Sequence, residues 1–145
     1  MKRRKFINWV SSGIGLTLAS RCSIPKTIAS EDTGQSSPLF RFVALGDVGT
    51  GNIGQYAIAE IMNDYYRQRP FELVLLTGDN IYEDGDIKRV GATFSRPYRF
   101  LRKQEVPFYA VLGNHDVLTN NGIDQVNFSS FNMKGRYYSF SILLV

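Results

Sequence analysis

The sequence contains one cysteine, Cys22, and one histidine, His115. Because Cys22 lies near the N-terminus, in the segment interpreted below as a leader, the rest of the chain has no thiol. Disulfides and a cysteine-based zinc site are therefore excluded there. Long apolar runs are also missing, since the apolar stretch over 7–20 is shorter and more polar than the about 20 residues that a membrane-spanning helix needs. A hydrophobic content of 43% nevertheless predicts a globular protein.

The basic character of the chain comes from its N-terminal end. Residues 1–30 hold six basic residues and no acidic one, whereas the remainder holds 11 basic and 13 acidic residues. The sequence pI of about 9.3 is therefore a property of the first segment. A basic groove for nucleic acid is not expected in the rest of the chain.

Residues 1–29 are predicted to form an export signal. A charged "KRRKF" precedes the mildly apolar stretch, and Ala29 offers a small residue for cleavage. The "RRKFI" pattern resembles a twin-arginine signal, which exports folded proteins through the Tat machinery. We therefore expect transient membrane contact through this signal and a periplasmic or extracellular location. A retained basic anchor is the alternative; lipidation of Cys22 is disfavoured because Arg21 stands where a small residue is expected.

The chain after the signal alternates between strand and helix patterns. Residues 30–38 are polar and small, which is typical of a linker, and the domain is predicted to occupy 39–145. The predicted elements are buried strands over 39–45, 72–78 and 107–113, helices over 53–69 and about 87–104 (interrupted around Pro97), and a strand beginning at Arg136. This βαβαβ order predicts an α/β fold with a mostly parallel sheet.

The helix predicted over 53–69 has apolar side chains at helical spacing and ends before Pro70. The apolar positions are Ile53, Ala57, Ile58, Ile61, Met62, Tyr65 and Tyr66.

Each of the three predicted strands ends in glycine followed by a polar residue. The pairs are Gly46-Asp47, Gly78-Asp79 and Gly113-Asn114. Because the carboxyl ends of parallel strands meet at one edge of a sheet, these side chains are expected to converge. Two neighbouring carboxylates repel each other unless a cation lies between them, and oxygen ligands suit hard or borderline metal ions. The pattern predicts a metal site, and a two-metal hydrolytic site is the common arrangement of this kind.

Three motifs carry a resemblance to a known family. "GDVG" (46–49), "GDNIY" (78–82) and "GNHD" (113–116), spaced 32 and 35 residues apart, resemble the first three motifs of the calcineurin-like metallophosphoesterases. The tyrosine of the second motif is similar to that of the purple acid phosphatase branch, in particular its small, tartrate-resistant acid phosphatase-like members. The resemblance covers about 40–142. It implies the N-terminal half of an αββα sandwich and a metal-dependent hydrolase of small phosphoric monoesters.

The resemblance also implies roles for four metal ligands. Asp47 would bind a first, ferric ion, and Tyr82 would complete its coordination as a phenolate. Asp79 would bridge that ion to a second, divalent ion (Fe, Zn or Mn). Asn114 would bind the divalent ion through its amide oxygen.

Two further residues receive catalytic roles from the resemblance. His115 is similar to the general acid near the leaving-group oxygen, and Asp116 to the residue that orients that histidine. The family's remaining ligands are histidines of later motifs, which this sequence does not contain, and Ser141 stands where an acidic residue is usual. The resemblance therefore suggests a truncated domain over 39–145 with weak metal binding and little turnover.

Two other functions compete with this interpretation. The "GTGNIG" segment places Gly49, Gly51 and Gly54 in the G-x-G-x-x-G pattern of a dinucleotide-binding module, with Asp79 as the ribose ligand. Against it, Asp47 would repel the pyrophosphate. The second alternative is a non-catalytic fragment that exposes a sheet edge and an apolar face, and therefore associates.

Overall fold

The computed structural model describes residues 40–143. Its helices and strands are β1 (Phe42–Leu45), α1 (Ile53–Gln68), β2 (Leu73–Leu76), α2 (Arg99–Lys103), β3 (Phe108–Ala110) and α3 (Ile123–Val126). The predicted export signal, the linker and Cys22 lie outside the described residues. Within 40–143, no helix has the length and apolar character needed to cross a bilayer.

The three strands form a parallel sheet in the order β1-β2-β3. Leu45 pairs with Leu76, and Leu76 pairs with Ala110, so the last residues of the three strands lie side by side. The loops that follow the strands therefore leave the sheet at the same edge. The predicted α/β fold with a parallel βαβαβ core is confirmed.

The first strand is less buried than the sequence predicts. β1 pairs only with β2 within the described residues, and the Phe42 side chain is 54% exposed. The prediction of a buried first strand is therefore wrong: an apolar run does not distinguish an edge strand from a central one. β2 lies between two partners, and Leu73, Val74 and Leu76 are buried.

Local capping sets the start of α1. The side chain of Asn52 accepts a hydrogen bond from the amide of Gln55 at 3.1 Å, which satisfies a backbone donor that has no partner inside the helix. At the other end, the amide of Arg69 donates to the carbonyl of Tyr65, and Pro70 cannot continue the helix. The predicted extent of this helix is confirmed to within a residue.

The buried face of α1 differs from the apolar pattern in the sequence. Its buried residues are Gln55, Ala59, Met62 and Asn63. Gln55 accepts a hydrogen bond from the amide of Gly51 and donates to the carbonyl of Thr93, so its amide is satisfied inside the protein. Of the apolar residues singled out in the sequence, Met62 is buried and Tyr66 partly so, whereas the others are exposed.

An aromatic cluster forms the centre of the core. The ring of Phe94 lies edge-to-face against Phe108 and Phe131, each at 5.0 Å between centroids. All three side chains are at most 2% exposed. This geometry is the favoured one for aromatic pairs, and it ties the segment before α2 to β3 and to the C-terminal part of the domain.

Two other segments differ in how well the sequence predicts them. The helix predicted over 87–104 is interrupted near Pro97 as expected: short turns over Ile87–Arg89 and Gly91–Ser95 precede α2. The strand predicted from Arg136 is wrong for the part up to 143, which has no regular structure. Its aromatic residues instead contact β3, where Phe140 stacks on Tyr109 at 4.0 Å.

The exposed apolar side of α1 predicts association of the chain. Ile53 and Ile61 are 88% and 64% exposed. We expect the wild-type chain to form oligomers as concentration rises, and an Ile53→Lys/Ile61→Lys variant to shift the population towards monomer. Sedimentation velocity over a concentration series measures this shift. The matched control, Gln68→Lys/Gln104→Lys, adds the same charge at exposed polar positions and should still associate; a wild-type chain that stays monomeric would contradict the prediction.

Candidate metal centre

Backbone hydrogen bonds join the three loops at the carboxyl edge of the sheet. The amide of Asp47 donates to the carbonyl of Gly78 at 3.2 Å, and the amide of Gly49 donates to the carbonyl of Asp79 at 3.0 Å. The third loop joins through the amide of His115, which donates to Asp79 Oδ1 at 3.0 Å. The loops that the sequence places after separate strands therefore form one connected surface.

The close approach of the second and third loops requires a glycine at position 113. A Cβ atom at Gly113 would lie 2.2 Å from Asp79 Oδ1, far inside van der Waals contact. Asp47 and Asp79 themselves adopt left-handed backbone angles, with φ of 56° and 54°. Aspartate tolerates this region better than most residues, but at some cost. Strained backbone of this kind is typical of functional sites.

The phenol of Tyr82 brings the two aspartates together. Its oxygen lies 2.8 Å from Asp47 Oδ1 and 2.8 Å from Asp79 Oδ2. A phenol has one hydrogen to donate, so at any moment one of these contacts brings two oxygen atoms together without a proton between them. The hydrogen bonds to Asp47 and Asp79, followed by desolvation and the charges of the two carboxylates, raise the pKa of Tyr82 above its ordinary value.

The donor set suits one hard cation. Two carboxylates and a phenol supply three converging oxygen atoms, which hard cations prefer, and a bound cation would remove the repulsion among them. Within residues 40–143, no group of three His, Cys, Asp or Glu side chains is arranged to hold a metal ion. The third oxygen comes from tyrosine, so the site depends on Tyr82.

Asn114 lies beside this cluster, on the loop after β3. Its residue is exposed. The amides on either side of it, those of Gly113 and His115, donate to Asp116 and Asp79. The structure therefore places Asn114 at the same edge as the three oxygen donors, and its metal-binding role stays a prediction.

His115 packs against the tyrosine of the cluster. The two rings lie 4.5 Å apart between centroids, and His115 Nδ1 lies 2.5 Å from the backbone carbonyl oxygen of Glu83. A carbonyl oxygen only accepts hydrogen bonds, so Nδ1 carries a proton in this contact. Nε2 is then the ring nitrogen that is left for a proton transfer.

Asp116 occupies a different place from the one the resemblance suggests. Its carboxylate is fully buried and accepts five hydrogen bonds, none of them from the His115 ring. The donors are the amides of Asn80, Ile81 and Gly113 and the side chains of Asn80 and Gln125, at 2.9–3.1 Å. In this structure the ring of His115 is held by the Glu83 carbonyl, and Asp116 joins the second loop to the third.

Two buried amides next to Asp116 are absent from the sequence-based set of site residues. Asn80 Nδ2 donates to Asp116 Oδ2 and to the carbonyl of Val111. Gln125 Nε2 donates to Asp116 Oδ1 and to the carbonyl of Gly85. Asn80 stands inside the "GDNIY" motif, which is a usable signal. Gln125 has none, because it reaches the site through the fold and not through its place in a motif.

The glycines of the competing dinucleotide-binding pattern have another use here. A Cβ atom at Gly49 would lie 2.2 Å from the backbone carbon of Asn80, so this glycine permits the first loop to pack against the second. The amide of Gly51 donates to Gln55 Oε1 and is not available to a pyrophosphate. The structure therefore disfavours a dinucleotide-binding role for this segment.

An open cavity adjoins the cluster. Its volume is about 430 Å³, and its lining residues are Thr50, Asn52, Tyr82, Glu83, Arg89 and His115. Small-molecule sites commonly have volumes in this range. A molecule in this cavity would contact both Tyr82 and His115.

The buried bonds of Asp116 predict a large loss of stability when one acceptor oxygen is replaced. In Asp116→Asn, an NH₂ group would face N–H donors, and we expect the free energy of unfolding to fall by about 3 kcal/mol. Urea denaturation followed by circular dichroism measures it. The control, Asp64→Asn, removes an exposed ion pair with Arg67 at 2.6 Å and should cost less than about 1 kcal/mol. Equal costs for the two variants would show that Asp116 does not hold the loops together.

Comparisons with known proteins identify the family of the chain. A family model described as calcineurin-like phosphoesterase matches residues 40–144. The chain is 33% identical over 95 residues to tartrate-resistant acid phosphatase type 5 of Homo sapiens, a match that covers 59% of this chain and 29% of that protein. The chain thus spans less than a third of the length of this relative.

The family match covers all three motifs and the whole of the described sheet. It supports a phosphoesterase hydrolase at the level of the family, and the family implies a dinuclear metal centre. The chain therefore belongs to the calcineurin-like phosphoesterase family, in its purple acid phosphatase branch.

Proposed function

We propose that this protein hydrolyses phosphoric monoesters at a dinuclear metal centre built on the carboxyl edge of the sheet. The observation that carries the proposal is the position of the Tyr82 phenol, 2.8 Å from a carboxylate oxygen of both Asp47 and Asp79. The relative with which the chain shares this region is named an acid phosphatase. A small phosphate ester is the corresponding substrate.

In this proposal Asp47, Asp79 and Tyr82 would hold a ferric ion, and Asp79 and Asn114 would hold a divalent ion. Bound metal ions of this kind supply positive charge to a phosphoryl group under attack and make nearby water more acidic. The sequence contains one histidine, so the oxygen donors of Asp79 and Asn114 are the ligands it offers to the second ion. We expect this second ion to bind more weakly than the first.

His115 is the proposed proton donor to the departing alkoxide oxygen. The contact between Nδ1 and the Glu83 carbonyl fixes the ring and leaves Nε2 for the transfer. The packing of the ring against Tyr82 keeps it beside the oxygen donors. The role of Asp116 is then indirect, because its carboxylate sets the position of the loop that carries His115.

A visible absorption band on addition of ferric ion tests the ligand assignment. Coordination of Tyr82 as a phenolate to Fe(III) is expected to give a charge-transfer band, and Tyr82→Phe should lack it. The control, Tyr137→Phe, changes a tyrosine that is 94% exposed and should retain the band. A band of equal strength in Tyr82→Phe, or none in the wild type, would exclude a tyrosine-ligated ferric site here.

Hydrolysis of 4-nitrophenyl phosphate tests the reaction. With ferric and zinc ions present, we expect slow turnover above the metal-only blank, and a loss of at least about tenfold in Asp79→Asn because it removes the bridging charge. Asp64→Asn makes the same change on the surface of α1 and should keep the wild-type rate. Equal rates in the two variants would refute the role of Asp79. A normal ferric band without turnover would favour the non-catalytic alternative.

A further inference from the structure

The cavity beside the candidate metal centre has one cationic side chain, and the centre itself does not use it. Arg89 lines this cavity of about 430 Å³ together with Tyr82 and His115. A molecule that occupies the cavity is therefore in reach of both the proposed proton donor and a guanidinium group. Under the proposed function His115 faces the departing alkoxide oxygen, and His115 also lines this cavity.

The backbone of Arg89 is fixed, while its charge is not neutralised by the surrounding protein. The amide of Arg89 donates to the carbonyl of Asp86 at 2.9 Å, and its carbonyl accepts from Thr93 Oγ1 at 3.2 Å. In the part of the chain that the structure describes, no carboxylate forms an ion pair with its guanidinium. The side chain is thus anchored at its base and has its full set of donors available.

The other polar groups of the cavity limit which ligand it accepts. Thr50 Oγ1 and Asn52 Oδ1 already accept hydrogen bonds from the backbone amides of Asn52 and Gln55, respectively. Glu83 is the one acidic residue that lines the cavity. Its negative charge disfavours binding of a highly charged polyanion. A ligand that places one anionic group against Arg89 and neutral polar atoms near Glu83 matches the charges of both side chains.

We propose that Arg89 binds a second anionic group on the leaving group of the substrate. The substrate class is then a phosphate monoester whose alcohol portion carries a carboxylate. This inference rests on the proposed function for the position of the scissile phosphate. A guanidinium suits the task because its planar N–H donors bind a carboxylate or phosphate in pairs, and the cavity is large enough for a small organic molecule.

Binding of two matched probes tests the proposal without requiring turnover. Phosphoglycolate and ethyl phosphate have the same number of carbon atoms, and only phosphoglycolate carries a carboxylate. The full chain is titrated with each probe, with and without zinc ion, and binding is followed by calorimetry and by the NMR signal of the Arg89 Nε–H group. Circular dichroism checks that each variant retains the fold.

We expect phosphoglycolate to bind about tenfold more tightly than ethyl phosphate and to shift the Arg89 signal. Arg89→Gln should lose this preference, and Arg89→Lys should keep part of it because the charge remains. The control, Lys88→Gln, removes a neighbouring exposed charge that does not line the cavity, and should behave as wild type. A preference that survives in Arg89→Gln, equal affinity for both probes in the wild type, or no binding of either probe would overturn the proposal.

The failure of this inference is distinguishable from the failure of the proposed function. A normal ferric band with equal affinity for the two probes would leave the metal centre in place and remove the anion site. An Arg89-dependent preference for phosphoglycolate without a ferric band would support the anion site and refute the ferric centre.

Discussion

The buried carboxylate of Asp116 is the interaction on which the arrangement of the site depends. It accepts hydrogen bonds from the loop after β2 and from the loop after β3, and each of its oxygen atoms has N–H donors from more than one residue. A buried acceptor of this kind is costly unless all its bonds are made. The two loops are therefore held in one relative position, and that position brings the amide of His115 to the carboxylate of Asp79.

The chemistry at the carboxyl edge of the sheet follows from the fixed relative position of the two loops. Once the loops are joined, two carboxylates and a phenol share a small volume, and their oxygen atoms repel each other unless a proton or a cation lies between them. The Tyr82 hydroxyl supplies one such proton, and its hydrogen bonds to Asp47 and Asp79 raise the pKa of Tyr82. The same loops deliver His115 and the cavity next to it, so cation binding, proton transfer and recognition of a leaving group are proposed for one continuous surface.

The sequence predicts well those features that depend on local pattern. The apolar runs that precede Gly46, Gly78 and Gly113 become three parallel strands, and the motif spacing places their loops at one edge. The buried face of α1 is predicted poorly, since Gln55 is satisfied by partners in other segments that no helical pattern reveals.

The residues that position the site's chemical groups are predicted poorly for a related reason. Gln125 lies nine residues after Asp116 in no recognisable motif, and Glu83 acts through its backbone carbonyl, which carries no trace in the sequence. Arg89 is near in sequence to the second motif, but only the fold shows that it lines the same cavity as His115. Motifs thus identify the groups that carry the chemistry, whereas the partners that position them emerge from tertiary contacts.

The most direct measurement is anomalous X-ray diffraction from crystals of the chain grown with ferric ion. The account predicts a strong anomalous peak within coordination distance of oxygen atoms from Asp47, Asp79 and Tyr82. A fully ordered site that shows the Tyr82 hydroxyl still bonded to both carboxylates, with iron absent or bound elsewhere on the surface, would contradict it.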